Sequence, residues 1–115
     1  MNKLLQSFGY AFKGLAYAFR SQLNFKLHCV AAVLVLALGW YVQLSVAEWL
    51  WISLAIALVL AAELFNTAIE VLVDLVSPNW NEQAGRVKDV AAGAVLLIAL
   101  LALVVGLFIF VPKLS

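Results

Sequence analysis

The chain is short of charge. Only 11% of its 115 residues are Asp, Glu, Lys or Arg, whereas a soluble domain carries about a quarter. It has one cysteine, Cys29, so no intrachain disulfide and no Cys-rich metal site can form. Cys29 stands among apolar neighbours and reads as a packing residue. One histidine, His28, leaves no His/Cys metal-ligand spacing and no evident Ser-His-Asp set. Neither G-x-x-x-x-G-K-[ST] nor G-x-G-x-x-G occurs, which excludes a P-loop and a dinucleotide fingerprint. Residues 1–20 lack a compact apolar block followed by a small-residue cleavage site, so no cleaved signal peptide is expected there. Seven basic residues, mostly beside apolar runs, give no footprint for nucleic acid.

What is abundant is apolar. Hydrophobic residues make up 67% of the chain, more than a water-soluble fold of this size could hide. Lipid is the natural solvent. The expected fold class is all-α integral membrane, a single domain over residues 1–115 with no internal repeat. It has three transmembrane helices and an N-terminal amphipathic interfacial helix.

Residues 1–24 form that surface helix. Leu4, Phe8, Phe12, Leu15 and Phe19 recur at spacings of three and four, with Lys3, Lys13 and Arg20 mostly between them. Such a helix lies in the headgroup region, apolar side down and cationic side toward anionic lipid. The first span is residues 25–46, with His28 and Gln43 near its two water boundaries. At 1.5 Å per residue it reaches about 33 Å, enough to cross. Trp40, Tyr41, Trp49 and Trp51 flank the link that follows, where aromatic belts form. The second span, residues 47–75, begins apolar and then acquires polar residues. Ser77, Pro78 and Asn79 stop it. Residues 77–88 are polar and read as a loop. The third span, residues 90–111, has no charge.

Orientation follows from the basic residues. Lys3, Lys13, Arg20, Arg86 and Lys88 lie on the N-terminal segment or the second loop, and Lys26 stands at the start of the first span beside them; only Lys113 falls elsewhere. Three crossings put those two regions on one side, and the positive-inside rule makes that side, with the N-terminus, cytoplasmic.

The chemistry concentrates on the second span. Glu63, Asn66, Glu70 and Asp74 fall at i, i+3, i+7 and i+11, along one helix face, with Thr67 beside them. The six residues before Glu63 are all Ala, Leu or Val. A carboxylate at that depth must be neutral, paired, or beside water or metal. Either a structural hydrogen bond to another helix or a role in catalysis or ion transfer would hold it there. Glu70 and Asp74 lie shallower, where an acidic face can simply be solvated. With Asn66 they also form oxygen ligands suited to Mg²⁺. Before the third span stand Arg86, Lys88 and Asp89. Lys88 can hold a phosphate as a point charge. Asp89 either caps a helix beginning at Val90 or serves phosphate and metal. Ala91, Ala92, Gly93 and Ala94 allow close helix approach.

Several of these residues carry a resemblance. Glu63-Leu-Phe-Asn-Thr-Ala-Ile-Glu70, then Asp74, then Lys88-Asp89-Val-Ala-Ala-Gly-Ala-Val95 resemble the prokaryotic diacylglycerol kinase and undecaprenol kinase family. Ser7-Phe-x-Tyr10-Ala-Phe-Lys13-Gly14, Asn24-Phe-Lys-Leu-His28 and the Phe-Val-Pro-Lys-Leu ending extend the likeness over nearly the whole chain. The resemblance implies a homotrimer in a bacterial inner (plasma) membrane. It implies ATP and Mg²⁺ as cofactors and transfer of the γ-phosphoryl group to a lipid alcohol, undecaprenol or diacylglycerol. By matching positions Glu63 is the general base and Asn66 supports it. On the same resemblance Glu70 would bind Mg²⁺ and so hold ATP, Lys88 and Asp89 would contact the nucleotide, and Tyr10 would sit near it. Gln22 stands where the family usually has a second metal-binding Glu. Pro78-Asn79-Trp80-Asn81 replaces the usual Pro-Glu-Tyr-His. The Asn24-Phe-x-x-His28 segment and the Pro112-Lys-Leu ending look more like undecaprenol-type members. Two other readings stand beside the kinase: a small oligomeric channel or transporter subunit lined by Glu63 and Glu70, and a catalytically silent member.

Overall fold

The computed structural model describes residues 2–115. Its elements are α1 (Asn2–Ser21), α2 (Leu23–Tyr41), α3 (Val46–Val76) and α4 (Glu82–Leu114), and no strand occurs among the described residues. Helices α2, α3 and α4 are each long and apolar enough to cross a membrane. The all-α membrane architecture expected from composition is the one found.

Helix α1 contains no Val, Ile or Thr, so no β-branched residue restricts its rotamers. Among its residues only Ala18 is buried by protein. Leu4, Leu5, Phe8, Phe12 and Phe19 stay exposed, as an apolar face turned to lipid must be. The helix ends at Ser21, three residues short of the expected boundary. A single extended residue, Gln22 (φ −117°, ψ 112°), joins it to α2 and makes an elbow rather than a linker.

Helix α2 stops at Tyr41, earlier than residue 46. Gln43 takes a left-handed conformation (φ 58°), which reverses the chain within a few residues. Ser45 then caps α3. Its hydroxyl accepts from the Glu48 backbone N–H at 3.2 Å, and Glu48 Oε1 accepts from the Ser45 N–H at 2.9 Å. This reciprocal box satisfies two otherwise orphaned donors. At the far end the Ser77 N–H donates to the Val73 carbonyl at 2.7 Å, and Pro78 forbids another turn.

The polar stretch before the third span is mostly helix, not loop. Asn81 caps α4, its side-chain oxygen accepting from the Ala84 N–H at 2.9 Å. Glu82 and Arg86 pair one turn apart at 2.9 Å. Asp89 is therefore not a helix cap. It lies in the third turn of α4, where backbone N–H groups already have intrahelical partners. Pro112 does not end this helix either. It sits in the last turn, where a missing N–H removes only one bond.

Helices α3 and α4 form the main packing surface of the chain. This antiparallel pair is tied at both ends. Glu48 and Lys113 meet at 2.9 Å, Asp74 and Lys88 at 2.7 Å. From Glu48 to Asp74 is 26 residues and from Lys88 to Lys113 is 25, so the register is preserved along the whole hairpin. A small core of Leu44, Ile52 and Phe110, flanked by Val35, Leu38 and Trp49, closes the Glu48–Lys113 end. There Gly39 lets α2 approach closely. A Cβ at this position would lie 2.8 Å from Leu44 Cδ1 and 2.9 Å from the Trp49 ring. Gly39→Ala is expected to destabilise the fold by about 1–3 kcal/mol, the usual overpacking cost. A lower thermal unfolding midpoint in detergent would register it.

Length places the polar residues. Trp49 and Trp51 mark one interface. Fourteen residues on from Trp49, Glu63 lies about 21 Å deeper, still inside a hydrocarbon layer of about 30 Å. Glu70 falls at about 31 Å, at the opposite boundary, and Asp74 about 37 Å along, beyond it.

Candidate functional site

Glu63 is buried to 3% exposure and Thr67, one turn on, to 4%. The Thr67 hydroxyl donates to the Glu63 carbonyl at 2.9 Å, so its polar group is satisfied within the helix. The Glu63 carboxylate faces α2, where His28 Nε2 lies 3.8 Å from Oε1. The neighbouring cavity, about 160 Å³, runs from His28 past Ala32 and Val35 of α2, between Ala55 and Val59 of α3 and Gly106 of α4. Apart from His28 its lining is apolar.

Two turns along α3, three candidates converge. Glu70 is flanked by two side-chain amides. Gln22 Nε2 donates to Oε1 at 3.3 Å, and Asn66 Nδ2 donates to Oε2 at 3.4 Å. The elbow after α1 makes this possible, because it delivers Gln22 against α3 from 48 residues away in sequence. Asn66 Oδ1 is buried without a partner. Such an atom is costly to leave unmade and points to a missing donor or cation. The cluster holds one carboxylate and two side-chain amides, each of which carries a carbonyl oxygen as well as the nitrogen now turned to Glu70. That is the chemistry of a hard divalent ion. No group of three His, Cys, Asp or Glu side chains suited to a metal occurs among the described residues. The protein set is thus sparse, as in sites where water and phosphate oxygens complete a Mg²⁺ shell.

Lys88 reaches this face from α4, close enough to feel the charge of Glu70. Lys88 is engaged by Asp74, and the two line a cavity of about 280 Å³ with Asp89, Ser77, Pro78 and Trp80. The Trp80 indole is 82% exposed, a flat apolar surface at the mouth of a charged pocket. Tyr10 is not drawn to either group. Its ring is exposed on α1, with Lys13 Nζ over it at 5.8 Å, and no hydrogen bond or ion pair among the described residues ties it to the other candidates.

Sequence reading did not pair His28 with Glu63. The signal was a lone imidazole at the start of a span, but the partner lies 35 residues away on another helix. Neither did it pair Lys113 with Glu48, or Lys88 with Asp74.

These features define a multi-pass membrane protein with a buried acid and an oxygen-rich cluster near one boundary. Residues 9–110 match the family described as prokaryotic diacylglycerol kinase. The chain is 42% identical to an undecaprenol kinase of Bacillus subtilis, over 99% of its own length and 93% of that relative. It is 42% identical to a diacylglycerol kinase of Synechocystis, over 96% of its length and 64% of that relative. With a diacylglycerol kinase of Escherichia coli it shares 28% identity, over 89% and 84% of the two chains. The chain belongs to the prokaryotic diacylglycerol kinase family, and it is a membrane enzyme of the kinase class.

Proposed function

We propose that this protein transfers the γ-phosphoryl group of ATP to the hydroxyl of a membrane lipid, at the cytoplasmic boundary, with Glu63 as general base. The observation that carries the reading is the placement of a buried carboxylate two turns, about 10 Å, from Glu70, which gathers the amides of Asn66 and Gln22. A lipid alcohol held by its tail presents its hydroxyl at the depth of Glu63. The triphosphate approaches from the aqueous side. Glu63 accepts the hydroxyl proton as the oxygen attacks phosphorus, and Asn66 supports the site from the next turn.

Mg²⁺ fits the residues present. Glu70 and Gln22 would hold it, with the unpartnered Asn66 oxygen beside them. Bound there, it would neutralise phosphate charge, which is most of what phosphoryl transfer requires. Gln22 reaches such an ion through its carbonyl after a half-turn of the amide. Lys88 and Asp89 contact the nucleotide from the cavity beside Trp80. Undecaprenol is the proposed acceptor. The near end-to-end match with the Bacillus relative supports it, and the apolar cavity leading from His28 suits a slim hydrocarbon chain. A homotrimer in a bacterial inner membrane, with a cytoplasmic N-terminus, completes the reading.

Purified protein in lipid, given radiolabelled ATP, Mg²⁺ and each lipid alcohol in turn, tests it. Label in lipid phosphate is the expected result, strongest with undecaprenol. Ion flux through liposomes with no labelled lipid would replace this reading with that of a channel. The amide at position 22 makes a separate prediction. Gln22→Glu adds a negative charge opposite Glu70 and should lower the Mg²⁺ concentration for half-maximal activity several-fold. A magnesium titration at fixed ATP reads this directly.

A further inference from the structure

Glu63 has little contact with water, with a side chain 4% exposed. A base in that position accepts a proton and must then lose it before the next turnover. The imidazole 3.8 Å away is 30% exposed at the protein surface, and it lies six residues, about 9 Å of helix, from Gln22, which meets Glu70 at the membrane boundary. Imidazoles exchange protons with water near neutrality. We infer that His28 is a positioning residue that completes the base: it holds the Glu63 carboxylate and carries the transferred proton out to water. The inference rests on the kinase reading above and deepens it.

The proton balance is simple. The lipid O–H bond breaks as the oxygen bonds to the γ-phosphorus, and the bond from that phosphorus to the ADP leaving oxygen breaks. The proton goes to Glu63. From there it passes to His28 Nε2 once the two side chains close the 3.8 Å gap to hydrogen-bond distance, leaving an imidazolium beside a carboxylate. That product pair has no net charge, whereas a protonated base with no partner would have to wait for water to enter an apolar site. Release from the exposed imidazole restores the starting state.

Few other groups intrude. Glu70, two turns along α3, is a carboxylate whose charge acts on Glu63. Helix α4 has no ionisable side chain between Asp89 and Lys113, and Lys88 is engaged by Asp74. On α1, Arg20 is exposed, and Tyr17 lines a different cavity beside Thr67. On α2, Lys26 is turned to the Phe19 ring at 6.0 Å, and Cys29 is half-buried. Among the described residues His28 is therefore the proton-accepting side chain within reach of the buried acid.

The test compares the parent with His28→Gln, His28→Asn, Glu63→Gln and the double variant His28→Gln/Glu63→Gln, in lipid, by label transfer across a pH series. Parent protein must label lipid; if it does not, the kinase reading itself fails. Given parent activity, both His28 variants should lose about a hundredfold in kcat, the lower end of what a positioned proton acceptor contributes. The KM for Mg-ATP should stay within twofold. The acid limb of the pH–rate profile should move, because the titrating unit has changed. In the double variant the loss should be no greater than in Glu63→Gln alone, as expected of residues acting as a unit. An unmoved profile, additive losses, near-parent kcat, or loss of folded protein in both His28 variants would each overturn the inference.

Discussion

Glu63→Gln is expected to cut phosphoryl transfer to lipid by roughly a thousandfold, within the range a positioned general base contributes. The substitution keeps side-chain shape and removes the negative charge together with the capacity to take a proton. It should leave the thermal unfolding midpoint unchanged or raised, because the carboxylate at 3% exposure is itself an electrostatic burden in hydrocarbon. KM for Mg-ATP should hold, since the change strikes the transition state and not nucleotide binding. Initial rates at saturating Mg-ATP, with melting curves on the same preparations, decide the matter. A variant within tenfold of the parent rate would remove Glu63 from the chemistry.

Glu70→Gln should fail differently. Glu70 is the only formal charge in the set made with Gln22 and Asn66. Without it three neutral amides face each other and nothing balances a dication. We expect kcat/KM for Mg-ATP to fall by about a hundredfold, comparable to losing one electrostatic stabiliser of a reacting group. Most of the loss should appear in KM, and raised Mg²⁺ should recover part of it. Magnesium should recover nothing for Glu63→Gln. If both variants respond to magnesium alike, the division between base and metal ligand is wrong.

The membrane fold was legible because its signal is length. Runs such as residues 90–111 have no charge to place in water, and only a helix satisfies backbone groups in lipid. Boundaries were less legible. Residues 77–88 read as a polar loop by composition, yet Asn81 caps a helix within them and Glu82 and Arg86 brace it one turn apart. Polarity reports depth, not conformation. On the site, residues on one helix could be read together: Glu63, Asn66 and Glu70 share a face because 3.6 residues make a turn. Contacts between helices could not. Gln22 meets Glu70, His28 meets Glu63 and Lys113 meets Glu48 only after α2 and α4 are laid against α3.

The elbow at Gln22 joins two helices that answer to different surroundings. Helix α1 takes its height from headgroups, and α2 takes its height from the hydrocarbon slab. The amide at the corner inherits both settings. Its spacing from Glu70 is thus partly a property of the bilayer, and detergent micelles that blur that boundary would act on the proposed magnesium site without touching a single ligand.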